Sequence, residues 1–250
     1  MSKNQKKIWI TGASSGIGRA AAEKFAKEGW KVAVSARRKE LLDELSKNQN
    51  ISSFPLDVTD RSQIKNTFKN ILNEFNELDI CLFSSGTYEP KDEQSIDPDR
   101  IKNVINVNFL GVIDCVKTVE DYFKNKKTGH ISIVSSIAGY RGLPNSSGYG
   151  PSKAALTNFC ESIYFDFKKF GVRVSIVSPG FIKTPLTDKN DFPMPFLKTP
   201  EYAAEKIFYG LVKTNSFEIH FPKGLTLTLK FLRILPYKLY LFLVDKLVKR

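Results

Sequence analysis

The feature that most constrains the fold is a regular alternation of short apolar runs with longer amphipathic stretches. Runs such as residues 31–35 and 79–83 have the length of buried strands, and each is followed by apolar residues at helical spacing. Strands that are joined through helices pair in parallel, because a parallel pair needs a crossover connection rather than a tight turn. The sequence therefore predicts an α/β fold with a doubly wound parallel β-sheet and helices on both faces.

The predicted elements follow one another along almost the whole chain. The predicted strands are residues 7–10, 31–35, 51–56, 79–83, 131–134, 172–177 and 217–221. The predicted helices are one that ends at Gly29, then residues 39–45, 64–75 and 101–123, one that begins just before Tyr149, and residues 201–213. No internal repeat or low-complexity linker interrupts them. Residues 1–222 are therefore expected to form a single domain, and residues 223–250 a basic, amphipathic helical extension of it.

Composition argues against several classes of protein. The three cysteines, Cys81, Cys115 and Cys160, are far apart and stand in apolar contexts, which is not the pattern of a disulfide framework or a metal site. No apolar stretch of signal-peptide length follows the N-terminus, so a cytoplasmic protein is expected. The net charge is +12, but no nucleic-acid-binding module or basic patch interleaved with aromatics is present, and no nucleic-acid partner is expected.

The basic charge is concentrated at the C-terminal end. Residues 223–250 carry seven lysines and arginines against one aspartate, a net charge of +6. Pro236 divides this segment, and its second piece opens as a proline-led helix with an apolar face around Leu239 and Leu243. The charges argue against a helix that spans a membrane. A cover over the substrate pocket, a dimer contact and a peripheral membrane contact through residues 225–250 all remain open.

A glycine-rich turn lies between the first predicted strand and the first predicted helix. Gly12, Gly16 and Gly18 are spaced as Gly-x-x-x-Gly-x-Gly within residues 11–18. Glycines at such a turn let the backbone approach a pyrophosphate, while the N-terminus of the following helix supplies N–H donors and a partial positive charge. This placement, at the first strand of an alternating chain, predicts a phosphate-binding turn of the Rossmann type.

The same residues also fit a nucleophile elbow, Gly12-x-Ser14-x-Gly16, which likewise joins a strand to a helix. A serine hydrolase of this kind would need an acid followed by a histidine, and only His220 stands in that order. A serine hydrolase would also have no role for a second motif further along the chain.

That second motif is a tyrosine and a lysine, Tyr149 and Lys153, which share one face of a helix because they are four residues apart. An ammonium close to a phenol favours the phenolate and lowers the pKa of the phenol. A phenol in that state can pass a proton to or from a carbonyl-level oxygen, which is general acid–base catalysis. Ser136, thirteen residues before the tyrosine, makes the pair more specific than its spacing alone.

Taken together, these motifs resemble the short-chain dehydrogenase/reductase family, in its form of roughly 250 residues. Thr-Gly-x-x-x-Gly-x-Gly at residues 11–18, Ser136 and Tyr149-x-x-x-Lys153 carry the resemblance. It implies an NAD(P)-dependent oxidoreductase that interconverts a carbonyl and a secondary alcohol by hydride transfer. The catalytic residues that it implies are Asn108, Ser136, Tyr149 and Lys153.

The resemblance also implies a role for each of these four residues. Tyr149 would donate the proton when a carbonyl is reduced and accept it when an alcohol is oxidised. Ser136 would hydrogen-bond the substrate oxygen and hold it near the tyrosine. Lys153 would bind the nicotinamide ribose and lower the tyrosine pKa, and Asn108 would support a water-linked proton relay through that lysine.

The cofactor site implied by the resemblance runs along the ends of several strands. Its residues are Gly12, Ser14, Ser15, Gly16, Ile17, Gly18, Arg37, Arg38, Asp57, Val58, Gly86, Tyr149, Lys153, Pro179, Gly180, Ile182 and Thr184. The second strand runs into two arginines and has no acid to hold a ribose 2′-hydroxyl, whereas arginine accommodates a 2′-phosphate. NADP(H) is therefore expected in preference to NAD(H), with Arg37 as the main clamp and Ser14 and Arg38 in support.

One position departs from the family pattern. After the fourth strand, where the family carries Asn-Ala-Gly, this chain has Ser84-Ser85-Gly86. A hydroxyl can satisfy fewer backbone groups than an amide, so the backbone beside the cofactor is expected to be less rigid. No catalytic group is removed, and activity is expected to persist.

The stretch from residue 185 to residue 199 is expected to form a lid over the substrate or simply to pack on the sheet. Phe192 and Phe196 alternate there with prolines and no charged anchor stands out, so the expected substrate is a small apolar carbonyl or alcohol. A homodimer or homotetramer is expected. A catalytically silent NADP(H)-binding sensor or scaffold of the same fold stays open as an alternative, although a sensor has no need of a tuned tyrosine.

Overall fold

The computed structural model describes residues 5–89 and 96–248, with side chains as far as residue 246. Its centre is a seven-stranded sheet in which every neighbouring pair of strands is parallel. The strands are β1 (Lys7–Thr11), β2 (Lys31–Ser35), β3 (Ile51–Ser53), β4 (Ile80–Phe83), β5 (His130–Val134), β6 (Arg173–Pro179) and β7 (Glu218–Phe221). Their order across the sheet is β3-β2-β1-β4-β5-β6-β7, so the predicted parallel, doubly wound α/β fold is confirmed.

Helices cover both faces of this sheet. They are α1 (Gly16–Lys27), α2 (Lys39–Leu45), α3 (Arg61–Phe75), α4 (Pro98–Ile105), α5 (Gly111–Lys126), α6 (Tyr149–Lys168), α7 (Pro200–Lys213), α8 (Lys223–Arg233) and α9 (Tyr237–Val248). Side chains of β1 alternate between two apolar cores, as the two-residue period of a strand requires. Ile8 and Ile10 lie in the core beneath α1 and α7, and Trp9 lies in the core beneath α3 and α5.

The long helix predicted at residues 101–123 is divided into three segments. α4 begins at Pro98, where the carboxylate of Asp97 accepts two backbone N–H bonds from the first turn. Asn106–Leu110 form a single π-helical turn, and α5 continues from Gly111. An apolar pattern at helical spacing does not reveal one inserted residue, so the prediction missed the π turn, a feature that is frequent at functional sites.

The topology places a crevice between β1 and β4. The chain leaves β1 towards β2 on one side and later returns to β4 on the other side. At such a switch point the loops after the two strands diverge and leave a crevice at their carboxyl ends. The glycine-rich turn follows β1, and Ser84-Ser85-Gly86 follows β4. The strand order alone therefore brings these two motifs together.

The C-terminal segment forms α8 and α9, which are separated at Pro236 as predicted. The buried residues of α9 are Tyr240 and Val244, whereas Leu239 of the predicted apolar face is exposed. The hydroxyl of Tyr240 donates to the Gly142 carbonyl at 2.5 Å, on the side of the helix that packs. Residues 249–250 of the predicted extension lie outside the described part of the chain. Within that part, no helix is both long enough and apolar enough to cross a membrane.

Candidate active site

A cleft of about 730 Å³ opens at the carboxyl ends of the central strands. Every residue expected to bind the cofactor lines it, and so does the expected catalytic serine. These residues are Gly12, Ser14, Ser15, Gly16, Ile17, Gly18, Arg37, Arg38, Asp57, Val58, Gly86, Ser136, Tyr149, Lys153, Pro179, Gly180, Ile182 and Thr184. Asn108, the remaining predicted site residue, is fully buried behind the wall of the cleft.

The glycine-rich turn is tight enough to exclude side chains at two of its positions. Gly12 has φ +69°, and a Cβ there would lie 2.6 Å from the carbonyl oxygen of Ser84. A Cβ on Gly18 would lie 2.4 Å from the Gly12 carbonyl oxygen, because the first turn of α1 is pressed against the loop. The close backbone packing at the N-terminus of α1, beside the cleft, suits a phosphate group.

Gly18→Ala is expected to weaken NADPH binding by about tenfold, because the added methyl forces the loop away from α1 and displaces its N–H donors. The matched control is Gly142→Ala, since Gly142 has open space around its Cβ position. Its melting temperature and NADPH Kd should stay close to those of the wild type. Fluorescence titration with NADPH measures the effect, and equal Kd values for the two variants would contradict it.

The arginine that reaches the glycine-rich turn is Arg38. Its guanidinium Nη2 donates to Ser14 Oγ at 2.8 Å and to Ser15 Oγ at 2.9 Å. Arg37, expected to be the main clamp, also lines the cleft. The two side chains together make the edge of the cleft next to the second strand positive, at the place where a ribose 2′-phosphate would lie in a dinucleotide site of this topology.

Tyr149 and Lys153 begin α6, so both side chains project from its first turns. The helix starts at Tyr149, as predicted, and the Lys153 Nζ lies 5.6 Å from the centroid of the tyrosine ring. Lys153 is almost completely buried, and its ammonium donates to the Val134 carbonyl oxygen at 3.0 Å. Burial lowers the pKa of Lys153 to about 8. A buried ammonium thus lies beside the ring of Tyr149 in the cleft.

Ser135 and Ser136 differ in what their hydroxyls contact. Ser135 Oγ is buried and donates to the Lys153 carbonyl oxygen at 2.8 Å, which fastens β5 to α6. Ser136 is only partly buried, and its Oγ accepts from the Ala138 N–H at 3.1 Å. The hydroxyl proton of Ser136 is not needed for that bond, so this serine can donate to an oxygen in the cleft.

Asn108 holds the backbone beside the cleft in place. It lies in the π turn, where its Oδ1 accepts from the Thr87 N–H at 2.7 Å and its Nδ2 donates to the Thr87 carbonyl at 3.0 Å. Nδ2 also donates to Ser152 Oγ at 3.1 Å. The N–H of Ser84 is bonded to Thr11 Oγ1 at 3.2 Å. The segment that departs from the family pattern is therefore tied down at both ends by side chains outside it.

Sequence patterns missed two residues near the tyrosine. The Tyr88 ring lies 4.9 Å from the Tyr149 ring, and Lys189 Nζ donates to the Tyr88 carbonyl oxygen at 3.1 Å. Lys189 also lines the cleft. No motif marks either residue, since they stand on loops 101 positions apart and meet only through the fold.

The predicted lid reaches the cleft only with its first part. Residues 185–187 and Lys189 line the cleft, whereas the Phe192 ring packs on Phe181 with centroids 6.0 Å apart. Backbone bonds close the base of this loop, because Lys183 N–H donates to the Lys198 carbonyl and Lys198 N–H to the Phe181 carbonyl. Phe192, in the aromatic centre of the stretch, therefore packs within this loop and is not among the residues that line the cleft.

The described residues do not place Ser14 and His220 in a catalytic triad. Ser14 Oγ accepts from Arg38, as described above. The Nδ1 atom of His220 is hydrogen-bonded to Thr226 Oγ1 at 2.7 Å, and its Nε2 atom is hydrogen-bonded to Lys223 Nζ at 3.0 Å. Since this histidine does not line the cleft, no general base is available to the serine from it.

Comparison with known proteins agrees with this geometry. A family model described as short chain dehydrogenase matches residues 6–193. An uncharacterised oxidoreductase of Myxococcus xanthus is 33% identical over 236 residues, which cover 92% of this chain and 93% of the relative. A 3-oxoacyl-[acyl-carrier-protein] reductase of Thermotoga maritima is 34% identical over 185 residues, 72% of this chain and 75% of the relative. A solved structure of ElxO with NADP bound superimposes with a TM-score of 0.79 at 27% identity, covering 90% of this chain and 99% of ElxO. The chain therefore belongs to the short-chain dehydrogenase family and is an oxidoreductase with a nucleotide-binding, Rossmann-type fold.

Proposed function

We propose that the protein is an NADPH-preferring reductase that interconverts an apolar carbonyl compound and a secondary alcohol. The observation that carries the proposal is the buried ammonium of Lys153 beside Tyr149, in the same cleft as the glycine-rich turn. A phosphate-binding turn alone fits any nucleotide-binding protein, but a phenol paired with a buried cation is a proton donor.

The residues of the cleft divide the work of carbonyl reduction among them. NADPH, when bound, supplies the hydride. Ser136 Oγ donates a hydrogen bond to the carbonyl oxygen, and Tyr149 transfers its phenolic proton to that same oxygen as it becomes an alkoxide. The nearby Lys153 charge stabilises the phenolate that is left, and in alcohol oxidation the same phenolate accepts the proton.

Asn108 acts in this proposal as a positioning residue. Its amide groups are engaged by Thr87 and Ser152 and do not face the cleft. It therefore keeps the backbone after β4 at a fixed distance from α6. A Cβ on Gly86 would lie 3.5 Å from Asn108 Oδ1 and 3.6 Å from Lys153 Nζ, which are ordinary contact distances, so the backbone after β4 lies next to both side chains. The water-linked relay expected for Asn108 stays a prediction.

The preference for NADPH rests on the two arginines after β2. No acid follows β2 to hold a ribose 2′-hydroxyl. Arg38 is oriented towards the glycine-rich turn by its hydrogen bonds to Ser14 and Ser15. Arginine recognises a phosphate through paired N–H donors, which a ribose hydroxyl cannot engage equally well. The NADP held in the related ElxO structure supports the same choice.

Replacing both arginines, in Arg37→Ala with Arg38→Ala, is expected to lower kcat/KM for NADPH by about 10–100-fold, because charge-assisted bonds to the 2′-phosphate are lost. The value for NADH should change little, since that cofactor lacks the phosphate. Initial rates with each cofactor, on a panel of apolar ketones and aldehydes, measure both quantities.

The control for the arginine variant is Lys39→Ala, which removes a neighbouring exposed cation that pairs with Asp43 outside the cleft. It should leave the NADPH to NADH ratio unchanged. A wild-type enzyme that uses NADH as well as NADPH, or an arginine variant that loses both cofactors equally, would overturn the assignment.

The lining of the cleft supports the proposed substrate class. Pro185, Leu186 and Val107 are apolar, and two lysines accompany them: Lys153 lies beside Tyr149, and Lys189 donates to the Tyr88 carbonyl oxygen. The similarity to a 3-oxoacyl-[acyl-carrier-protein] reductase supports carbonyl reduction as the chemistry. A small apolar carbonyl compound fits these walls. Assembly as a homodimer or homotetramer and a cytoplasmic location stay predictions.

A further inference from the structure

The outer side of the two C-terminal helices is an exposed apolar surface. Its members are large hydrophobic side chains that are between 55% and 77% exposed, and we call them the outer face. The outer face consists of Leu227, Phe231, Ile234, Tyr237, Leu241 and Phe242. Leu227 and Phe231 of α8 and Ile234, directly after its end, are four and three residues apart, as on one side of a helix. Contiguous apolar exposure of this kind on a folded protein marks an interaction surface.

The opposite side of the same helices is already packed on the body of the protein. Leu232, Tyr240 and Val244 are buried there. The Arg141 guanidinium donates to three carbonyl oxygens around the end of α8, those of residues 232, 233 and 235, and lies 3.9 Å from the Tyr240 ring centroid. The same guanidinium lies 4.6 Å from the ring centroid of Tyr237, so this member of the outer face touches the attachment, whereas these contacts do not involve the other five.

The outer face does not cover the active site. Among the described residues, those that line the cleft end at Lys189, so neither α8 nor α9 contributes to its wall. The interpretation of this segment as a cover over the substrate pocket is therefore not supported by the geometry. A dimer contact and a membrane contact remain to be distinguished.

The charge around the outer face distinguishes a dimer contact from a membrane contact. Four exposed cations, Lys223, Arg233, Lys238 and Lys246, accompany the outer face, with Asp245 as the exposed acid, a net charge of +3. Lys230 is not counted, because it pairs with Glu218 on the inner side. A two-fold dimer would bring two copies of this positive surface together, since each copy meets itself in such an interface.

An anionic lipid surface is complementary both to the apolar side chains of the outer face and to the positive charge around it. Leucine, phenylalanine and tyrosine side chains insert at the boundary between headgroups and acyl chains, and lysine and arginine side chains contact anionic headgroups. We propose that α8 and α9 dock on the surface of an anionic phospholipid membrane through the outer face, lying along the surface without crossing it. This proposal does not depend on the catalytic assignment.

The test is flotation of the full-length protein with vesicles of phosphatidylglycerol and phosphatidylcholine, compared with vesicles of phosphatidylcholine alone. The wild type should float with the anionic vesicles and dissociate as salt is raised. Phe231→Ser with Phe242→Ser should lower the partition coefficient by at least about tenfold, because two aromatic side chains leave the lipid. Arg233→Glu with Lys238→Glu keeps the apolar residues and should lose the preference for anionic vesicles.

The control variant is Tyr209→Ser, which removes an aromatic side chain of similar exposure on α7. It should float like the wild type, and thermal melting of each variant checks that it is folded. A wild type that floats with neither vesicle, or equally with both, overturns the proposal. So does a wild-type dimer that becomes a monomer in the double serine variant without any vesicle binding, since a second copy would then occupy the outer face. None of these readouts needs turnover, so they stand apart from a failure of the proposed reaction.

Discussion

Tyr149→Phe is expected to lower kcat for carbonyl reduction by about 10²–10⁴-fold, which is the range that a positioned general acid contributes. The variant keeps the ring and its contact with Tyr88 and removes only the phenolic oxygen. NADPH binding should persist, because the glycine-rich turn and the arginines after β2 are untouched. Rates of NADPH consumption and a fluorescence titration with NADPH measure the two quantities separately.

The matched control for this variant is Tyr164→Phe, on the same helix, where the ring packs against Phe217. It should keep the wild-type rate. If the wild type binds NADPH tightly but turns over no carbonyl or alcohol, the protein is the silent sensor or scaffold that shares the fold. If Tyr149→Phe retains the full rate, another group supplies the proton and the proposed role is wrong.

Lys153→Met is expected to abolish detectable reduction and at the same time to stabilise the folded protein at pH 7 by about 1–3 kcal/mol. In the folded protein the ammonium is buried and donates to the Val134 carbonyl. A methionine of similar shape fills the same space without a charge to desolvate. An active-site group that acts at the expense of stability is a common arrangement in enzymes.

The stabilisation by Lys153→Met should depend on pH in one direction. The pKa of Lys153 is lowered by burial from 10.5 to about 8, so the folded state releases this proton earlier than the unfolded state does. Between pH 8 and 10.5 the unfolded chain binds more protons at this site, and wild-type stability rises with pH through that window. The advantage of the methionine variant should therefore be largest below pH 8 and shrink above it.

Urea unfolding of the two proteins over this pH range measures the difference, and Lys65→Met, at an exposed position of α3, is the control that should show no such trend. A methionine variant that is less stable than the wild type at pH 7 would show that the ammonium stabilises the fold. A stability difference that is constant with pH would show that its charge is not the cause.

The parts of the site that could be predicted are those where chemistry fixes a local spacing. Tyr149 and Lys153 must share a helix face, and Gly12 and Gly18 must allow close backbone approach. Each motif can therefore be recognised within a few residues of sequence. The parallel sheet with helices on both faces followed from the alternation of elements, whereas the order of its strands is known only from the structure.

The parts that could not be predicted depend on contacts between distant loops or on side-chain torsions. Tyr88 and Lys189 meet across the cleft although no periodicity links their loops. The sequence does not show which of the two adjacent arginines reaches Ser14, and in the structure it is Arg38. In α9, apolar residues lie on most sides of the helix, so the pattern could not identify Tyr240 as the packed residue.

The parallel order of the sheet has a consequence for how the chain is assembled. Neighbouring strands of this sheet are parallel and cannot be joined by a short turn. Two strands can therefore pair only after the longer segment that connects them has been made. During synthesis, β1 can pair with β2 as soon as residue 35 has emerged, but its other edge has no partner until β4 is made. An apolar strand with one open edge is an aggregation hazard in the interval. We therefore expect slow, non-local folding, in which chaperones protect the nascent half-sheet until residue 83 completes the centre.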